Sequence, residues 1–111
     1  LDYNGIYKGK YIEFDAKETQ SKTSFALSNI HKHQLEHIKK VLYHQGIAFL
    51  IVRFINLNKN YLIPAKVLIE FIENNQRKSI PITFFEENTY NIDIKYIPRL
   101  DYIKIIDKLE V

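Results

Sequence analysis

The sequence predicts an α/β protein with a mixed sheet, and three observations carry this prediction. Residues 3–7 and 10–17 alternate apolar and polar side chains around Lys8-Gly9, which is typical of a β-hairpin. Residues 30–45 have helical periodicity, and the apolar run of residues 46–57 then indicates a strand buried on both faces. A hairpin, a helix and a buried strand in this order favour an α/β class.

Shorter elements follow the buried strand. We expect, in chain order, a turn over 56–60, a strand at 61–63, a helix over 64–74, a strand at 78–80, a helix over 81–87, an irregular or extended stretch over 89–97 and a helix over 100–109. No repeat or low-complexity tract interrupts them, so we expect one domain over residues 1–111.

Composition excludes several classes of protein. With 46% hydrophobic and 26% charged residues the chain has the composition of a globular domain, and it contains no apolar run long enough to span a membrane. The absence of cysteine excludes disulfides and cysteine-bound zinc, which fits a cytoplasmic protein. The net charge of +3 is only a weak indication of a polyanionic partner. The chain begins Leu1-Asp2 without an initiating Met, so we expect it to be the interior of a longer protein that is truncated, processed or only partly present.

The predicted helix of residues 30–45 carries one polar residue on its apolar side. Ser28 or Asn29 is suited to cap this helix and Gly46 to end it. At 100° per residue its buried face is predicted to contain Ile30, Ile38, Val41 and Leu42. Gln34 falls on that face, and leaving its amide unpaired would cost roughly 1–3 kcal/mol, so we expect it to have a partner.

Two acids and a lysine indicate a possible metal-dependent nuclease site. Asp2 and Asp15 flank the hairpin, whose return brings both carboxylates within reach of one ion, and Lys17 projects from the same strand face as Asp15. Mg²⁺ prefers such oxygen ligands, and it can activate water next to a phosphate whose charge a lysine stabilises. The simpler alternative is an exposed strand face with ordinary charges.

Beyond this spacing, the sequence resembles a known family. The matching stretches are D-Y-N-G-I-Y-K-G-K-Y-I at 2–12, A-K-E-T at 16–19, K-T-S-F at 22–25, H-x-H-Q-x-x-H at 31–37 and P-R-x-D-Y at 98–102. Together they resemble the RecU-type Holliday-junction resolvases of the PD-(D/E)xK nuclease superfamily. The resemblance implies a restriction-endonuclease-like core that lacks the N-terminal portion of the family.

The resemblance also implies roles for individual residues. Asp2, Asp15 and Gln34 match the metal ligands, with Mg²⁺ as the cofactor and Mn²⁺ as a possible substitute. Lys17 matches the lysine that stabilises the transition state, so the catalytic set is Asp2, Asp15 and Lys17. Two positions depart from the family pattern: Asp15 stands where glutamate is more common, and Leu1 stands where a threonine commonly precedes the first acid.

The function implied is metal-dependent cleavage of four-way DNA junctions in recombination and repair. The implied partners are branched DNA, a second copy of the chain in a homodimer and recombination proteins, with no membrane. Two alternatives stay open: an inactive family member that only binds DNA or dimerises, and a restriction-type endonuclease that cuts linear duplexes.

The basic residues and histidines are candidate DNA contacts. Beside aromatic side chains such residues can bind phosphate, and the predicted DNA-binding set is Lys8, Lys10, Lys22, His33 and Arg99. A solvated surface is the alternative for each of them. His33 and His37, four residues apart, could bind a transition metal, but DNA-facing or helix-surface positions are favoured. His31 is predicted to be a core histidine.

Overall fold

A computed structural model describes residues 3–92, which form seven strands and three helices. The strands are β1 (Tyr3–Tyr7), β2 (Lys10–Thr19), β3 (Ser24–Ala26), β4 (Ile47–Phe54), β5 (Lys59–Pro64), β6 (Ser79–Pro81) and β7 (Tyr90–Asn91). The helices are α1 (Lys32–Tyr43), α2 (Ala65–Asn74) and α3 (Ile82–Asn88).

The main sheet is mixed and has five strands in the order β1-β2-β4-β5-β7. Strands β2 and β4 are parallel, and the other neighbours in this sheet are antiparallel. Strands β3 and β6 form a separate antiparallel pair. The predicted α/β class with a mixed sheet is therefore confirmed, and a mixed sheet flanked by helices is compatible with a restriction-endonuclease-like core.

Most predicted elements are present, with shifted ends. The hairpin is confirmed, β4 ends at Phe54 before a short 3-10 turn, and the predicted strand at 61–63 extends over the whole of β5. Strand β3 was not predicted, because its three residues lie in a polar stretch that reads as a loop. Most of the predicted stretch 89–97 and the predicted helix 100–109 lie outside the described residues.

The start of α1 differs from the prediction. Residues Leu27–Asn29 form a 3-10 turn and Ile30 is extended, so neither Ser28 nor Asn29 can cap the helix. His31 takes the N-cap position instead, and its backbone N–H donates to the side-chain oxygen of Gln34. The first free N–H groups of a helix need such acceptors, and Gln34 supplies one.

Helix α1 is the crossover that the parallel pair requires. Two parallel neighbours cannot be joined by a tight turn, and here the chain leaves β2, passes through α1 and returns as β4. The helix packs its buried Ile38 and Val41 with Ala48 of β4 and Ala65 of α2. Ile30 and Leu42, predicted on the same buried face, are only partly buried.

The apolar core occupies both faces of β4. Leu50, Val52 and Phe54 point to the side of α2 and α3, and Phe49 and Ile51 point to the opposite side. Phe49 and Phe54 are completely buried within this chain, which confirms the prediction of a strand buried on both faces. Within residues 3–92 no helix is long and apolar enough to cross a membrane.

At Gly46, just after α1, the chain lies close to the backbones of both α1 and β2. A Cβ atom on Gly46 would lie 2.8 Å from Val41 Cγ1 and 3.1 Å from the backbone oxygens of both Tyr11 and Val41. The positive φ after the helix belongs to Gln45 and not to Gly46. Glycine is therefore required here for the close approach of two backbones.

We predict that Gly46→Ala lowers the free energy of unfolding by about 1–3 kcal/mol, because the added methyl group forces α1 away from β2. Urea unfolding of the two proteins measures the difference. Gly5→Ala is the matched control, since a Cβ on Gly5 meets nothing within 4 Å. Equal stability of the Gly46→Ala protein and the wild type would contradict the close-approach explanation.

Candidate active site

The site is built around the buried carboxylate of Asp15, which is 2% exposed. Asp15 Oδ2 lies 3.1 Å from Lys17 Nζ, and Asp15 Oδ1 accepts the N–H of Ala16 at 2.9 Å. Residues two apart on a strand project from the same face, so the acid-x-Lys spacing brings the ammonium to the carboxylate. A buried carboxylate without such partners would be strongly destabilising.

Gln34 approaches the same ammonium from α1. Its Oε1 atom accepts a hydrogen bond from Lys17 Nζ at 3.5 Å and one from the backbone N–H of His31 at 3.1 Å. The prediction that Gln34 has a partner is confirmed, although its side chain is half-buried. Gln34 is far from Asp15 and Lys17 in sequence. It reaches them because α1 lies over β2.

The acid-bearing face of β2 is covered at Glu13 and Asp15, so the alternative of an exposed strand face does not hold for these two acids. Glu13 and Asp15 are 4% and 2% exposed, and they share this face with Ala48 and Leu50 of β4. The other face of β2 is buried at Ile12 and exposed at Ala16. The reason is the crossover: α1 covers the polar face of β2 when it returns to β4.

The donor set fits a hard metal ion such as Mg²⁺. Asp15 and Gln34 present a carboxylate and an amide oxygen around one cation, the Lys17 ammonium, and Mg²⁺ typically takes one or two carboxylates and completes its shell with water and phosphate. Among residues 3–92, no three His, Cys, Asp or Glu side chains gather in a metal-binding group.

Asp2, the other predicted metal ligand, lies outside the described residues. The register of the hairpin pairs Tyr3 with Phe14, the residue immediately before Asp15. Tyr3, the first described residue of β1, therefore lies beside β2 next to Asp15.

The predicted DNA-binding residues fall at the two ends of β2. Lys22 is exposed in the turn after β2, where Ser21 Oγ accepts the N–H groups of Thr23 and Ser24, and His33 is exposed in the first turn of α1. Lys8 and Lys10 lie at the hairpin turn. That turn is about 23 Å along the strand from Lys17 at about 3.3 Å per residue, so these two do not crowd the site. Arg99 lies outside the described residues.

The histidines of α1 differ from the predictions in two respects. His31 is exposed and its ring stacks on that of His33, with centroids 5.7 Å apart, so the prediction of a core histidine is wrong. His31 precedes α1 as its N-cap residue with an extended backbone, so the helical periodicity that predicted its position does not apply to it. His37 is half-exposed, and its ring contacts the side chain of a residue in β2.

That strand residue is Glu13, which was not predicted as part of the site. Glu13 Oε2 lies 2.6 Å from His37 Nε2, and the hydroxyl of Tyr11 donates to Glu13 Oε1. Two signals in the sequence point to this contact: Glu13 shares the strand face of Asp15, and His37 follows Gln34 by one helical turn.

A mixed sheet that carries an acid-x-Lys strand beneath a helix glutamine is compatible with the restriction-endonuclease-like class of α/β proteins. Comparison of the sequence with known families identifies one family within this class. The family Recombination protein U (RecU) matches residues 1–108, and the chain belongs to this family.

Two curated relatives show the extent of the match. The Holliday junction resolvase RecU of Geobacillus sp. (strain WCH70) is 50% identical over 111 residues, which cover 97% of this chain and 55% of that protein. The Holliday junction resolvase RecU of Lactococcus lactis subsp. lactis (strain IL1403) is 50% identical over 109 residues, covering 97% of this chain and 51% of that protein. The chain thus spans about half the length of the curated relatives it matches.

We predict that Glu13→Gln lowers the pKa of Tyr11. In the wild type the hydrogen bond to Glu13, together with desolvation and the Glu13 charge, raises the pKa of Tyr11 above 10.0. The stabilisation linked to this raised pKa is complete below pH 10 and is lost as the pH rises through the folded-state value. NMR titration of the Tyr11 ring carbon measures the change, and an unaltered titration in Glu13→Gln would contradict the contact.

Proposed function

We propose that the protein is a metal-dependent endonuclease that resolves four-way DNA junctions. The observation that carries the proposal is the convergence of a buried carboxylate, a lysine and a helix amide at one end of β2. Membership of the RecU family and the names of the relatives support it. Because DNA is the substrate and the relatives are bacterial, we place the protein in the cytoplasm.

The metal-binding residues in this proposal are Asp15, Gln34 and Asp2. When bound there, Mg²⁺ would orient the scissile phosphate and lower the pKa of the attacking water. Mn²⁺ offers the same preference for oxygen ligands and is a plausible substitute in an assay. Asp15 is suited to this role because its strand and α1 fix its position, so little reorganisation is needed when an ion binds.

Lys17 stabilises the transition state in this proposal. Its ammonium lies 3.1 Å from Asp15 Oδ2 and its side chain is 20% exposed, so it can reach a phosphate at the surface while it stays beside the carboxylate. Negative charge develops on the phosphate oxygens during the attack, and a fixed cation stabilises that charge more than the ground state.

The proposed DNA contacts are made by residues near the two ends of β2. We assign Lys22 and His33 to the DNA backbone near the scissile phosphate, and Lys8 and Lys10 to a more distant segment of the junction. Each lysine would act through the phosphate charge, so its contribution weakens with added salt. Symmetric nicks on opposing strands require two active sites, so we propose that the protein acts as a homodimer.

We predict that Asp15→Asn and Lys17→Ala abolish Mg²⁺-dependent nicking of a synthetic four-way junction, with losses of about 10²–10³-fold or more. Binding of the junction, followed by fluorescence anisotropy, persists in both variants because the other contacts remain. Lys66→Ala is the matched control, since it removes an exposed lysine from α2. It should nick at the wild-type rate.

The same assay separates the alternatives. Nicking that survives both site substitutions contradicts the mechanism. A wild-type protein that binds the junction, takes up no Mg²⁺ or Mn²⁺ in calorimetry and never cuts supports a DNA-binding member without activity. Equal cutting of linear duplexes at defined sequences supports a restriction-type endonuclease.

A further inference from the structure

Among the contacts described for residues 3–92, two polar ones join α1 to β2, and one of these two belongs to the site proposed above. The first joins Gln34 to Lys17. The second joins His37 Nε2 to Glu13 Oε2 at 2.6 Å, which we name the Glu13–His37 clamp. The two contacts are one helical turn apart on α1 and four residues apart on β2.

Glu13 is a buried acid that the proposed mechanism does not use. Its side chain is 6% exposed, and each of its two oxygens has a protein partner, Tyr11 Oη at one and His37 Nε2 at the other. Both oxygens of the Glu13 carboxylate are thus held by side chains outside the Asp15–Lys17–Gln34 cluster.

The clamp fixes the side of α1 that apolar packing leaves unfixed. The buried residues Ile38 and Val41 anchor α1 on Ala48 of β4 and on Ala65 of α2. No residue of β2 belongs to this apolar anchor, so the anchor does not by itself set the tilt of α1 over the site strand. A hydrogen bond of 2.6 Å from His37 to a buried carboxylate restrains this tilt.

We propose that Glu13 and His37 are positioning residues, which hold α1 so that the Gln34 oxygen stays against Lys17 and Asp15. The proposal rests on the nuclease function proposed above. It adds a pair of residues that acts through Gln34 and touches neither DNA nor metal. A displacement of about 1 Å at a reacting centre can lower a rate by about 10²-fold, so a loosened helix is sufficient to impair catalysis.

His37→Gln and His37→Asn form a matched pair that tests the clamp in the full chain. The glutamine amide nitrogen reaches the place of His37 Nε2, whereas the asparagine amide is too short to do so. We expect His37→Asn to lower the kcat for junction nicking at least tenfold and His37→Gln to stay within about threefold of the wild type. The junction Kd is unchanged in both, and a weaker Kd with normal kcat would show that His37 contacts DNA and would overturn the proposal.

Glu13→Gln separates positioning from catalysis. The amide keeps the shape and the hydrogen bond to His37 but loses the charge, so we expect its kcat to stay within about threefold of the wild type. Asp15→Asn, the same chemical change two residues away, abolishes nicking. An equal loss in both variants would make Glu13 a ligand or a base and would overturn the proposal. This comparison remains decisive if His37→Asn fails to fold.

The side-chain amide signal of Gln34 in a ¹H–¹⁵N NMR spectrum reports its position without any activity. We expect it to shift in His37→Asn, to return in His37→Gln and to be unmoved in Lys39→Gln. That last variant is the control, because it breaks the exposed 4.0 Å contact of α1 with Glu73 of α2 and leaves the clamp intact. An unmoved Gln34 signal in His37→Asn overturns the clamp, whereas absent nicking by the wild type overturns the function alone.

Discussion

The parallel pairing of β2 with β4 is the constraint on which the rest of the structure depends. Parallel neighbours need a crossover, and α1 is that crossover. Because α1 returns across one face of the sheet, it covers the polar residues of β2 and the small Ala48 of β4 together. The close contact at Gly46 marks the point where the returning chain meets the sheet.

Covering charged residues is costly, and the magnitudes explain how the molecule tolerates it. An ion pair at the separation of Asp15 and Lys17 gains about 5 kcal/mol at an effective dielectric of about 20, while desolvation costs several kcal/mol per ion. The pair therefore contributes little net stability. What it provides is a carboxylate and an ammonium in fixed positions before any ligand arrives, which is what electrostatic catalysis requires.

The sequence predicted a large part of the fold and the central part of the site. Alternation of apolar and polar residues located the hairpin, and the apolar run located β4. Both signals are visible in sequence because a strand buried on one face alternates and a strand buried on both faces is apolar throughout. The same periodicity placed Asp15 beside Lys17. It did not locate the start of α1, because Ser28 and Asn29 are good helix caps by residue type but belong to the 3-10 turn of Leu27–Asn29. Nor did it place His31, which lies outside the helical periodicity as the N-cap residue of α1.

By itself the sequence determined the class of the protein and its membership of the RecU family, because the pattern of elements and motifs is written in order along the whole chain. It also determined the local geometry of the acid-x-Lys strand, because residues two apart on a strand share a face. Only the tertiary structure decided which face of β2 is covered and that Glu13 pairs with His37. Alternation shows that two faces differ, but a helix can cross either of them. The choice depends on contacts between residues far apart in sequence, where α1 meets β4 and α2.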